Sequence, residues 1–288
     1  MSTLKVYSSY DEHLIKEVPF SDAKQAEKAL TTAHELYTNR DAWLKPYERI
    51  SILEKALHYV EERLEDLAKA AAEEGGKPLM DSRVEADRTK LGIKVAIEHI
   101  SQLTGTEIPM NISTSSENRM AYTYREPRGV VLAISAFNHP LNLITHQVIP
   151  AVAVGAPVIV KPASATPISC FNLVDILHKS GLPKEWAQVC ACDNKVAEQL
   201  VTDPRTSFLS FIDSAKVGWY LRSKLPPGAS AALEHGGAAP VIVEPDVDVE
   251  DAIPLLVKGG FYHAGQVCVS VQRVFAHESI CDDFANAI

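Results

Sequence analysis

The sequence lacks several of the features that most quickly assign a function. It has no G-x-G-x-x-G turn, so the usual dinucleotide fingerprint is missing. It has no basic excess: 28 Lys and Arg stand against 37 Asp and Glu, a net charge of −9. Without a basic footprint, nucleic acid and anionic membrane surfaces are poor partners. No apolar run approaches the eighteen or so residues of a membrane span. The first residues, MSTLKVYSSYDEHLIKE, lack the apolar core of a signal peptide. Cysteine is sparse, with five residues (Cys170, Cys190, Cys192, Cys268, Cys281). An odd, scattered set in a long chain fits reduced cytosolic thiols rather than a disulfide framework, and a cytoplasmic location is expected. Cys190 and Cys192 form C-x-C without a second pair, which reads as strand rather than as a four-ligand zinc site. The ten histidines include no H-x-x-x-H pair. No internal repeat or low-complexity segment is present.

What remains is an ordinary globular composition, 46% hydrophobic and 23% charged, and 288 residues are enough for one large domain or two smaller ones. The amino-terminal third reads as helices. Ser21 is placed to cap AKQAEKALTTAHELY. A longer helix follows Pro46, its stripe running from Ile50 through Leu53, Leu57, Val60 and Leu64 to Leu67. Gly75, Gly76 and Pro78 end it, and a third helix is expected over 84–103. These helices read as packing elements, with no constellation that suggests chemistry. Residues 108–125 are polar and then strand-like, which fits a projecting hairpin.

From Gly129 onward short apolar runs alternate with helical stretches: VVLAIS (130–135), PVIVK (157–161), AQVCA (187–191), SFLSFI (207–212) and AALE (231–234). That spacing predicts an α/β domain whose parallel strands are buried on both faces. Ligands of such sheets bind beyond the carboxyl ends of the strands. Asn138, Lys161, Asp213, Ser214 and Glu234 all fall at those ends. Farther on, GGFYHAGQVCVSVQR (259–273) sets Cys268 among small and β-branched residues, and VCVSV reads as the start of a strand or packed segment. On this stretch alone a buried, inert thiol and a reactive one are equally good readings.

Five segments in order carry a resemblance: AFNHP (136–140), VIVKPASATP (158–167), FIDSAKVG (211–218), LEHGGAAP (233–240) and GQVCVSVQR (265–273). Together they resemble the NAD(P)-dependent aldehyde dehydrogenases with a cysteine nucleophile. The FNHPLNL wording is similar to the lactaldehyde, phosphonoacetaldehyde and other small-aldehyde branches. The resemblance implies a Rossmann-type parallel sheet with helices on both faces, plus the start of a second α/β catalytic domain. It implies an NAD(P)-binding domain over 1–106 and 125–236, an oligomerisation hairpin over 107–124, and the catalytic domain's start over 237–288. It also implies a homodimer or homotetramer in the full-length form.

The same resemblance assigns roles. Cys268 would attack the aldehyde carbonyl. The Asn138 amide and the Cys268 N–H would stabilise the oxyanion. Glu234 would activate the water that hydrolyses the thioester. Lys161 would hold the adenosine ribose, and Ser214 would meet the pyrophosphate at a helix amino terminus. Ser135, Gly218 and Gly236 join the cofactor-binding set. Ser164 stands where NAD-preferring members carry a glutamate. A serine there accepts a 2′-phosphate, so NADP or NAD is the expected cofactor. Asp213 brings an extra negative charge beside the pyrophosphate turn unless it points away or pairs with Lys216. His235 replaces a leucine, and Phe137 and His139 flank Asn138 in place of the usual aromatic pair. The chain stops twenty residues after Cys268, where the family continues. A truncated chain, lacking part of the substrate tunnel, is therefore expected. An acylating, coenzyme A-dependent member and a non-catalytic cofactor-binding fragment are the competing readings.

Overall fold

A computed structural model describes residues 2–288. The chain opens with a hairpin that its sequence did not announce, β1 (Thr3–Tyr7) paired antiparallel with β2 (Leu14–Pro19). Four helices follow: α1 (Ala23–Thr38), α2 (Pro46–Glu62), α3 (Leu64–Gly75) and α4 (Leu79–Ile100). The cap of α1 is Asp22, not Ser21. Its carboxylate accepts the Gln25 N–H at 2.8 Å while the Gln25 side chain returns a bond to the Asp22 N–H. The long helix expected after Pro46 is two helices, broken at Arg63 (φ −109°, ψ 16°). The apolar stripe runs on through the break, so periodicity alone does not reveal it. The third expected helix begins five residues earlier than its periodicity suggests, at Leu79. A small antiparallel pair, β3 (Glu107–Ile108) with β4 (Ala121–Tyr122), stands exposed between α4 and the main sheet.

The central sheet then forms from β5 (Val130–Ile134), β6 (Val158–Lys161), β7 (Ala187–Val189), β8 (Thr206–Asp213) and β9 (Ser230–His235). They are all parallel, in the order β7-β6-β5-β8-β9. The crossovers contain α5 (Pro140–Val154), α6 (Ile168–Lys179), α7 (Asn194–Thr202) and α8 (Ala215–Ser223). Period-two alternation divides the sheet's two faces. Ala133, Val158 and Val160 join one core with α2 to α6. Val130, Leu132, Ile134, Ile159 and Phe211 join the other with α1, α7 and α8. Each fully buried Leu or Ile contributes about 1.5–3 kcal/mol. The α/β sheet with helices on both faces is thus the fold that the apolar runs predict.

The last segment comprises β10 (Val241–Val243), α9 (Val249–Phe261), β11 (Val274–Ala276) and α10 (Cys281–Ala287). β10 and β11 pair in parallel. VCVSV is not a strand: residues 267–269 form a turn, because the loop before them is fixed from outside, as described below. Among the described residues no helix is long and apolar enough to cross a membrane.

Candidate active site

The chain builds β5, β6 and β7 outward in one direction, then returns to set β8 beside β5. The crevice beyond the carboxyl ends of β5 and β8 is therefore the topological switch point, where such sheets bind ligands. A cavity of about 310 Å³ lies there. It brings together Asn138 from the β5–α5 turn, Asp213 and Ser214 from the β8–α8 turn, Glu234, His235 and Gly236 from the end of β9, and Cys268. Glu234 is exposed and lies opposite Ile212 in the sheet register. Cys268 is exposed as well. Its backbone N–H takes no partner among the described residues, while its carbonyl accepts the Gly237 N–H at 3.1 Å. The Gln272 N–H reaches Ala238 O at 3.1 Å. These bonds fasten the cysteine loop to the chain just beyond Glu234.

Asn138 is half-buried. Its Nδ2 donates to Gln266 O at 2.8 Å, and its Oδ1 is buried without a partner. The second Nδ2–H takes no other acceptor among the described residues. Behind it lies a buried charged group that the sequence reading missed, having found no chemistry in the amino-terminal helices. Glu85, 1% exposed, accepts the N–H groups of Leu141 (2.8 Å) and Asn142 (2.9 Å), the open first turn of α5. It also pairs with Lys77, whose Nζ lies 3.4 Å from Asn138 O. His263 Nε2–H donates to that same carbonyl at 2.5 Å, and the His263 N–H donates to Asp81 Oδ2 at 3.1 Å. The available signal was one stripe of α4: Asp81, Glu85 and Thr89 repeat at four-residue steps into Ile93 and are all buried. Polar groups on an apolar stripe mark an internal network rather than a solvated face.

Burial sets the electrostatics of this network. It lowers Lys77 to about 8. Burial, reinforced by the Lys77 charge, lowers His139 and His263 to about 4, so both rings are neutral near pH 7. Glu74, a buried carboxyl from α3, is raised by burial to about 7 while accepting the Ile168 and Ser169 N–H groups at the start of α6.

Beyond the cavity, Lys161 ends β6 and is buried; its Nζ makes one long bond, 3.3 Å to Pro162 O. Ser135 Oγ is buried with no partner. Both sit at strand ends with hydrogen-bonding capacity unfilled, which fits the hydroxyl groups of a nucleotide. Ser164 is exposed nearby in chain order. Ser214 stands at the amino-terminal cap of α8 with its side chain free of any capping bond. Asp213 neither points away nor reaches Lys216: its carboxylate accepts the Ser214 N–H at 2.5 Å, occupying one donor an incoming phosphate would use. Gly218 is required by packing. A Cβ there would meet His235 Nε2 at 2.3 Å. A Cβ on Gly236 would meet nothing within 4 Å, so the space beside Glu234 is open. Cys190 and Cys192 lie buried just past β7.

The chain spans about three fifths of the length of the relatives it matches. A 3-sulfolactaldehyde dehydrogenase of Priestia megaterium is 35% identical over 286 residues, covering 99% of this chain and 59% of that protein. The crystal structure of aldehyde dehydrogenase 21 from Physcomitrella patens, in complex with the reaction product succinate, superposes with a TM-score of 0.92 at 33% identity. It covers 99% of this chain and 60% of that one. The glyceraldehyde-3-phosphate dehydrogenase of Methanocaldococcus jannaschii, complexed with NADP, gives a TM-score of 0.90 at 33% identity, over 98% of this chain and 61% of that one. Residues 1–288 match the aldehyde dehydrogenase family throughout, and the chain belongs to that family.

Proposed function

We propose that the protein oxidises a small polar aldehyde to its carboxylic acid through a covalent cysteine intermediate, with NADP or NAD as cofactor. The observation that carries this reading is the single cavity shared by Cys268, Glu234 and Asn138 at the switch point of the sheet. Cys268 attacks the carbonyl carbon as thiolate. The S–C bond forms and the carbonyl π pair moves to oxygen. The unpaired Cys268 N–H and the second Asn138 N–H are the donors for that oxyanion, already in place before the reaction. Lys161 and Ser135, with Ser214 at the α8 terminus, would hold the cofactor, which when bound would supply the hydride acceptor for oxidation of the Cys268 adduct to a thioester. Glu234 then takes a proton from water as that water attacks the thioester carbon, and Cys268 leaves as thiolate. The open space beside Gly236 gives the Glu234 carboxylate room to approach. Support for NADP comes from the relative complexed with it and from Ser164, which presents no carboxylate to a 2′-phosphate. A coenzyme A-dependent acylation needs no hydrolytic base, so Glu234 disfavours it.

The test is the appearance of reduced nicotinamide, by absorbance, with NAD+ and NADP+ against a panel of small aldehydes, with and without coenzyme A. Turnover independent of coenzyme A is expected, and Cys268→Ala abolishes it. Turnover that survives Cys268→Ala refutes the assignment of the nucleophile.

A further inference from the structure

We propose that His263 is a positioning residue for Asn138, clamping the Asn138 turn to the Cys268 loop so that both oxyanion donors face one point. The inference rests on the reading of Cys268 as nucleophile. It arises from the backbone of the loop. His263 (φ 52°), Ala264 (φ 55°) and Gly265 (φ 73°) are three consecutive left-handed residues. Only the glycine adopts this without strain. A non-glycine residue there is strained and persists only where its surroundings over-determine it. Histidine is among the side chains found there more often than most.

The surroundings do over-determine it. His263 is 1% exposed. The His263 N–H is fixed by Asp81 at 3.1 Å, its carbonyl by the Gln266 N–H at 3.0 Å, and Gly265 O by Ser270 Oγ at 3.1 Å. Two further bonds cross between the loop and the β5–α5 turn in opposite senses. The His263 ring donates to the Asn138 main-chain carbonyl, and the Asn138 side chain donates to the Gln266 main-chain carbonyl. Residues more than 120 apart in sequence are thus joined at two points on either side of the Asn138 Cα. A carbonyl can only accept, so the proton of His263 is on Nε2; Nδ1 is buried without a partner. The clamp fixes the rotation of the Asn138 peptide and, through it, the direction of the amide. The distance between a donor and the developing oxyanion decides what that donor is worth.

The experiment reads adduct formation at Cys268 without any cofactor. A chromophoric conjugated aldehyde is titrated into the protein, and loss of the conjugated-carbonyl absorbance reports the thiohemiacetal. The thiolate sulfur bonds to carbon and the oxygen takes up the π pair and then a proton from water. His263→Phe keeps the ring volume and removes the donor, and it is expected to weaken the adduct by about tenfold, less than loss of a whole donor. His263→Gln places an amide N–H near the position of Nε2 and is expected to recover most of that loss. In an Asn138→Ala background, His263→Phe is expected to change the adduct by less than about twofold, because the two residues act as one unit. A loss that is equal for Phe and Gln, or that is undiminished in the Asn138→Ala background, overturns the proposal and leaves His263 as a packing residue. Circular dichroism confirms that each variant is folded. Absence of any adduct in the unsubstituted protein, with Cys268 still open to alkylation, refutes the nucleophile assignment and the positioning role with it.

Discussion

The wall of the cavity that carries Asn138 is backed by buried charge, whereas the wall that carries Glu234 and Cys268 is open to water. Asn138 sits on a turn tied to Glu85, Lys77, Asp81 and His263, all of them buried. Glu234 sits exposed on β9, at the sheet's edge, and the Cys268 side chain is exposed too, although its loop is tied to residues 237 and 238 and, through His263 and Gln266, to the Asn138 turn. The difference is the one that the proposed roles of these groups call for. An oxyanion donor acts by being in place beforehand, in surroundings that do not reorganise. A nucleophile and a base must meet an incoming aldehyde and a water molecule, so they need access. The Asn138 side chain is therefore backed by buried groups while the Cys268 and Glu234 side chains stand open, and substitutions on the two sides differ in their consequences.

The largest effect is expected where the buried pair is broken. Glu85→Ala removes the carboxylate paired with the Lys77 ammonium, leaving only the more distant Asp81 and Glu74, and also frees the Leu141 and Asn142 N–H groups at the start of α5. Removing one partner of a buried pair costs about 3–5 kcal/mol. Lys77→Met removes only the cation and should cost less than Glu85→Ala. Denaturant unfolding measures both. If the two substitutions cost the same, capping of α5 contributes nothing beyond the ion pair. If Glu85→Ala costs less than about 1 kcal/mol, the group is not a stabilising network at all.

An intermediate effect is expected from pH. His139 and His263 titrate near 4 in the folded chain, held down by burial and by the Lys77 charge. Unfolded, they bind protons near 6.5. Between those values the unfolded chain holds more protons than the folded one, so the stability from the neutral rings is complete above about pH 6.5 and is lost as pH falls toward 4. Glu74 acts in the opposite sense. Its folded value near 7 lies above the ordinary 4.5, so its contribution is complete below 4.5 and is lost as pH rises through 7. Two imidazoles outweigh one carboxyl, and the groups facing them (Lys77, Asp81 and Glu85, with the Arg88 charge farther off) are part of the same balance. The free energy of unfolding should rise between pH 4.5 and 6.5, by an amount on the order of 2 kcal/mol, carrying the thermal midpoint up with it, and then level or decline. His139→Phe should flatten the rise. A rise that His139→Phe leaves intact would locate the titration elsewhere.

The contrast between the two walls also explains what the sequence made legible. β5 and β6 were readable because strands buried on both faces must be continuously apolar, and Val130–Ile134 and Val158–Val160 leave little alternative. The switch-point residues were readable because they follow those runs directly. The network behind Asn138 was not readable in the same way. Lys77 and Glu85 are ordinary polar residues near or on a helix; the α4 stripe marks Glu85 as inward-facing, but only the pairing of α4 with the start of α5 reveals what the two residues hold. The β1–β2 hairpin was missed because its outward positions include Tyr7 and Leu14, half exposed, which blurs the alternation. VCVSV has the composition of a strand but forms a turn, because the left-handed residues just before it, fixed through His263, redirect the chain. Local propensity yields there to a tertiary constraint.

The smallest effect is expected on the open wall. Glu234→Gln and Cys268→Ala replace exposed side chains that make no hydrogen bond to another side chain among the described residues. Each should move the thermal midpoint by about 1 °C or less, the usual range for surface substitutions. Each should nonetheless stop or severely slow the proposed oxidation, Cys268→Ala by removing the nucleophile and Glu234→Gln by stalling hydrolysis of the thioester. Such an intermediate would accumulate as acylated Cys268, detectable by mass spectrometry of the intact protein after mixing with aldehyde and cofactor. A large loss of stability in Glu234→Gln would mean that the edge of β9 is held by that carboxylate after all, and the division between a wall backed by buried charge and a wall open to water would fail at Glu234.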